Sequence, residues 1–310
     1  QFINFLIGGY YLRLLIIMGY SFFVYTPNFH FKLPKSMMPL LRYSGLIFLS
    51  GTAASFILDI DKSMIYSLTS DANVAFYAVA IYIAAVIEAP GRAMFQITSP
   101  LVAEALNSKN KVRLESLLKK SSINLMIVSG LLFLIINLNL EDFYNIINQQ
   151  GYESAIGVVV IVSLGKLFSM SMGCLNNIIS NSKHYSFVFW FSISSAILAV
   201  VLNYIFIKEY GILGAAFATL IVIIFINSCK ILLVNYLFKI HPYSSKTLSV
   251  LLVISLIYIL IYSLPSIFNP WLSIPLRSLL IIGLFCIPLF RFSLSKEIET
   301  LFEKIIKRLF

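Results

Sequence analysis

Long apolar stretches alternate with short polar segments along the whole chain. A bilayer-spanning helix needs about 20 mostly apolar residues. Runs of that length, bounded by charge, proline, asparagine or serine clusters, cover approximately 2–25, 38–58, 74–100, 121–140, 154–179, 187–207, 211–237, 248–264 and 275–291. Their continuous apolar character does not match barrel strands, which show alternating segments of about ten residues. The pattern predicts an all-α polytopic integral membrane protein with about nine transmembrane helices.

Composition leads to the same solvent. Of 310 residues, 59% are hydrophobic and 12% charged, where soluble domains carry about 25% charged residues. With a mean hydropathy of +0.92 the chain has too little polar surface to coat a water-soluble globule. The net charge of +10 would suit nucleic acid if it formed a patch, but it is distributed as a topology signal. Alternate connectors hold 16 of the 23 basic residues, and the intervening ones hold only Lys62 and Lys208. The base-rich side is expected to be cytoplasmic, with the C-terminus on it. Gln1 then lies outside, so the parity implies an odd number of preceding spans and a truncated fragment of a larger transporter.

The segment 293–310 has Leu294, Ile298, Leu301, Phe302, Ile305 and Leu309 at helical spacing between charges, which suits an interfacial helix lying on anionic membrane lipids. A weaker version covers 104–120. Cys174, Cys229 and Cys286 fall inside apolar runs and share no CxxC spacing, so they read as core residues. His30, His184 and His241 are too dispersed for a zinc site, and no metal or cofactor is expected beyond a coupling ion. No nucleotide-binding loop, nucleophile elbow or HExxH motif occurs, so transport would draw on an ion or substrate gradient.

Charges inside the apolar runs cost at least about 2.5 kcal/mol each on insertion scales, which makes them the candidate chemistry. Lys230 and Arg277 lie near run ends and are expected to snorkel to the interface. Arg13 and Lys166 sit mid-run and should face protein or water, either lining a polar cavity or pairing structurally. Glu88 and Arg92 flank Pro90-Gly91 at i,i+4 spacing. They are expected to pair at a helix break, with Glu88 a titrating or cation-coupling group and Arg92 a contact for an anionic substrate. A purely structural, self-neutralising pair is the other reading. Asn203, Asn176, Asn177 and Thr219 are in-run polar groups able to offer neutral oxygens to a small cation.

Several segments carry a family resemblance. Asp59-Ile-Asp61-Lys-Ser-Met64, Asn73-Val-Ala-Phe-Tyr77, Ile87-Glu-Ala-Pro90-Gly-Arg92 and Ile97-Thr-Ser-Pro100 come first. Ser180-Asn-Ser-Lys-His-Tyr185, Leu202-Asn203-Tyr204 and Tyr210-Gly211-Ile-Leu-Gly214-Ala-Ala-Phe-Ala-Thr219 follow. Over about residues 38–250 the chain resembles the C-terminal lobe of bacterial polysaccharide-biosynthesis flippases, of the lipid-linked O-antigen type. These belong to the multidrug, oligosaccharidyl-lipid and polysaccharide exporter superfamily. Five missing helices plus the nine present would give the fourteen-helix member of that superfamily. The chain would then divide into 1–27, the last helix of an N-terminal lobe; 28–240, C-terminal lobe helices; 241–292, two additional helices; and 293–310, the interfacial tail.

The resemblance implies flipping of an undecaprenyl-diphosphate-linked oligosaccharide across the inner membrane, by alternating access, for lipopolysaccharide or capsule biosynthesis beside the polysaccharide polymerase machinery. It implies Arg13, Arg92 and Lys166 as diphosphate contacts. It also implies coupling to protons or sodium through Glu88 and through the set Asp61, Asn203 and Thr219. A drug or organic-cation antiporter of the same superfamily is the alternative, although two mid-run bases favour an anionic cargo. A polymerase, ligase or glycosyltransferase would need a sizeable outer loop, and no base-poor connector here exceeds about a dozen residues. A structural scaffold is the remaining reading.

Overall fold

The computed structural model describes residues 2–25, 37–147, 151–264, 269–295 and 297–300. They form an all-helical protein, with no strand among the described residues. The helices are α1 (Phe2–Tyr25), α2 (Met37–Leu68), α3 (Asp71–Ala85), α4 (Ala89–Asn107), α5 (Lys111–Leu138), α6 (Leu140–Ile147), α7 (Ile156–Ser171), α8 (Leu175–Asn181), α9 (Ser186–Phe238), α10 (Ser245–Tyr262) and α11 (Pro270–Arg291). Two compact units emerge, residues 1–45 and 46–310. The first contains α1, whose window Ile7–Val24 is long and apolar enough to cross a membrane.

Six helical segments among the described residues meet that criterion, and a seventh does if α7 and α8 form one span bent by 58°. Nine runs were expected, and two features account for most of the difference. Residues 187–207 and 211–237 belong to a single continuous helical assignment, α9, which breaks at Gly211 with φ 58° and ψ −134°. The chain reverses there: a Cβ on Gly214 would lie 2.0 Å from the carbonyl oxygen of Phe206. Residues 186–210 and 212–238 are therefore two antiparallel arms. The run 38–58 lies in α2, a helix of 32 residues, Met37–Leu68, part of whose side chains lie outside the described residues. The tail expected over 293–310 lies mostly outside the described residues.

Each break has a local cause. Pro90 lacks an amide N–H for the carbonyl of Val86 four residues back. A single 3-10 turn, Val86–Glu88, precedes it, in which the N–H of Ala89 donates to Val86 O, while Ser129 Oγ donates to Ile87 O at 2.8 Å. The break expected at Pro90 thus falls just before it. Between α7 and α8, Gly173 takes φ +60°, and a Cβ there would meet Ser122 N at 2.4 Å. The Cys174 N–H donates to Ser121 Oγ at 2.9 Å and Ser122 Oγ donates to Ser171 O, so α5 ties down both sides of the bend.

Three clusters make up most of the core of the second unit. One joins α5 to α10 and α11 through Met126, Ile127, Ile254, Ile281 and Phe285. A second packs Ile65, Tyr77 and Ala80 against Val158, Val162 and Ala215. The third seats α8 among α4, α5 and the end of α9. In lipid the apolar transfer term largely cancels, so close packing decides these contacts. Gly130 shows it: a Cβ there would come within 2.4 Å of Ile254 Cδ1.

Candidate functional site: a charged cavity between α4, α7 and α9

Four helix ends place polar groups at one depth. Asp61 lies seven residues before the end of α2, and Tyr77 six after the start of α3. Asn203 and Thr219 each stand eight residues from the turn at Gly211. At about 1.5 Å per residue, all four sit roughly 9–12 Å from the base-poor end of their helices. They meet around the buried carboxylate of Asp61. The Tyr77 hydroxyl and Thr219 Oγ1 each donate to Oδ2 at 3.0 Å, and Asn203 Nδ2 donates to Oδ1. Asn203 Oδ1 is buried without a hydrogen-bond partner among the described residues. One carboxylate, a hydroxyl and a spare amide oxygen form a hard, all-oxygen donor set. No cluster of three or more His, Cys, Asp or Glu exists among the described residues.

From Asp61 and Thr219 a cavity of about 410 Å³ runs between α4, α7 and the second arm of α9. Glu88, Arg92, Lys166 and Lys230 line it, together with the neutral Ser169, Asn176, Ser195 and Asn227. Lys166 Nζ donates to Glu88 Oε2 at 2.8 Å, with side chains 14% and 30% exposed. Asn227 Nδ2 donates to Ser169 Oγ at 3.0 Å. Lys230 Nζ stands 6.0 Å from the centre of the Phe191 ring. Among the described residues neither Arg92 nor Lys230 forms an ion pair.

Several expectations are corrected. Glu88 pairs with Lys166, not with Arg92, because the 3-10 turn at 86–88 takes Glu88 out of the regular helical register that an i,i+4 pair needs. Lys166 is consequently not an unpaired base. Lys230 lines the cavity instead of snorkelling to the interface. Arg277 does not snorkel either: it donates to Asp142 Oδ2 at 3.1 Å and to Leu138 O at 2.7 Å, while Ser273 donates to the same carboxylate at 2.6 Å.

The structure brings Asp61, Asn203 and Thr219 into one hydrogen-bonded knot and puts Glu88, Arg92 and Lys166 on one cavity wall. Arg13 is carried by α1 in the first unit, and the cavity described here is built from residues of the second unit alone. Asn177 turns to α4, donating to Phe95 O at 2.9 Å and Thr98 Oγ1 at 3.0 Å. Sequence reasoning missed Tyr77 and the cavity role of Lys230. Neither had a signal in the sequence: Tyr77 stands among apolar neighbours, and Lys230 near the end of its run.

Apolar helices packed around a charged internal cavity define a polytopic membrane transporter. The MatE family matches residues 47–205, just over half of the chain, and the chain belongs to that family. Its members are membrane exporters of the multidrug, oligosaccharidyl-lipid and polysaccharide superfamily, transporters and not enzymes. No curated protein and no solved structure matches the chain.

Proposed function

We propose that this exporter moves an undecaprenyl-diphosphate-linked oligosaccharide across the bacterial inner membrane, by alternating access coupled to a proton or sodium gradient. The observation that supports this reading is the charge balance of the cavity. Three bases, Arg92, Lys166 and Lys230, face two acids, Glu88 and Asp61. Both acids are already engaged, Asp61 by three hydrogen bonds and Glu88 by Lys166. A base left unpaired at bilayer depth costs at least about 2.5 kcal/mol, and a bound diphosphate offsets that cost through charge-assisted hydrogen bonds. An organic cation would bring a like charge to the same wall. Arg13 is the remaining base of the proposed substrate set, and the neutral Ser169, Asn176, Ser195 and Asn227 suit sugar hydroxyls.

The coupling ion is assigned to Asp61, Asn203 and Thr219, with Glu88 as a further candidate. The unpartnered Asn203 Oδ1 beside the carboxylate favours the first three. Complementation of a flippase-deficient strain tests the cargo. Arg92→Ala and Lys230→Ala should each lower surface polysaccharide by about tenfold or more, the cost of one lost charge-assisted contact, with protein levels unchanged. Normal polysaccharide in both variants, with ethidium efflux by the wild type, would favour the organic-cation antiporter.

A further inference from the structure

The geometry points to two anion stations along the cavity, with Glu88 as the resident anion of the inner one. An incoming head group meets Arg92 and Lys230 first, and Lys166 becomes available only when Glu88 leaves it. This inference rests on the anionic-cargo reading above.

The stations follow from helix register. α4, α7 and the second arm of α9 run in the same direction: Glu88 pairs with Lys166 and Gly91 lies against Met170, while Leu213 lies against Gly157 and Asn227 bonds Ser169. Arg92 therefore stands level with about residue 171 of the chain and Lys230 with about 172, five or six residues beyond Lys166. At about 1.5 Å per residue that is roughly 8 Å. The outer bases thus stand about one and a half helical turns beyond the inner one.

The levels differ in charge. Arg92 and Lys230 have no carboxylate partner among the described residues, while Lys166 is neutralised by Glu88 at 2.8 Å. An anion arriving at Lys166 must compete with a covalently attached carboxylate whose effective concentration is high. Glu88 also stands at a break in the helix, outside a regular helical turn. It closes the 3-10 turn between α3 and α4, with φ −87° and ψ −7°, and its side chain makes no cap bond. The charged groups on the cavity wall with it are Lys166 from α7, Arg92 from α4, Asp61 from α2 and Lys230 from α9. Only the two unpaired bases remain to attract an anion before Glu88 moves.

A double-mutant cycle with farnesyl diphosphate as the probe, using purified protein in lipid nanodiscs, tests this. Glu88→Gln should bind about tenfold tighter than wild type. Lys166→Gln should weaken binding by about threefold or less in the wild-type background and by about tenfold or more in the Glu88→Gln background, the non-additivity expected of directly coupled groups. Lys230→Gln should weaken binding equally in both backgrounds. Glu88→Ala repeats the cycle should Glu88→Gln not yield a monodisperse protein. Equal costs of Lys166→Gln in both backgrounds, or no tightening on removing Glu88, would overturn the two-station arrangement while leaving the anionic cargo standing. A wild type that binds ethidium and no farnesyl diphosphate would overturn the cargo reading and this inference together.

Discussion

At the scale of single residues, the carboxylates here differ by what answers them. Asp142 is met by a guanidinium, a hydroxyl and a helix end, and needs nothing more. Asp61 is met only by neutral donors, at 7% exposure. A buried carboxylate hydrogen-bonded by neutral donors alone is costly to keep ionised, so a proton or small cation is its natural complement. Asp61→Asn keeps the shape and removes the charge. In proteoliposomes it should abolish the dependence of transport on an imposed sodium or proton gradient, and a mutant as gradient-dependent as the wild type would remove Asp61 from coupling. Asn203 and Thr219 were legible as in-run polar groups, while Asp61, in a connector, entered only through the family resemblance. Tyr77 was not legible, since a tyrosine among apolar neighbours has the same pattern as a core residue.

At the scale of elements, the breaks decide what the cavity can hold. The turn at Gly211 brings Asn203 and Thr219 to one height because each stands eight residues from it. The arms meet at Gly214, where the added methyl of any other side chain would strike Phe206 O at 2.0 Å. Gly214→Val should cost at least about 3 kcal/mol, the upper range for overpacking a site that cannot yield. A clear drop in thermal stability by scanning fluorimetry is the expected result. An unchanged melting temperature would mean that the arms are not packed this closely. The bend at Gly173 and the turn before Pro90 work similarly, and each takes a hydrogen bond from a serine of α5. The Pro90-Gly91 pair was a readable signal of a break. The bend at Gly173 was not anticipated, because the run 154–179 is apolar across it.

At the scale of the whole molecule, the alternation of base-rich and base-poor connectors implies an orientation that cysteine labelling can check. With Cys174, Cys229 and Cys286 replaced, Glu209→Cys should react with a membrane-impermeant maleimide on intact cells. Ser108→Cys should react only after permeabilisation. The reverse pattern would invert the orientation and put the Arg92 and Lys230 end of the cavity on the outer face.

The sequence by itself determined the solvent, the helical class and the list of costly charges. Runs of about 20 apolar residues have only one stable backbone solution in lipid, a helix that bonds to itself. Those properties are local. The partners of the charges were decided by tertiary structure alone: Glu88 with Lys166 and not Arg92, Arg277 with Asp142, Lys230 in a cavity wall. Such pairings depend on the register between helices dozens of residues apart. That register is set by a few close approaches, at Gly91, Gly173 and Gly214, whose effect exists only once the facing helix is in place.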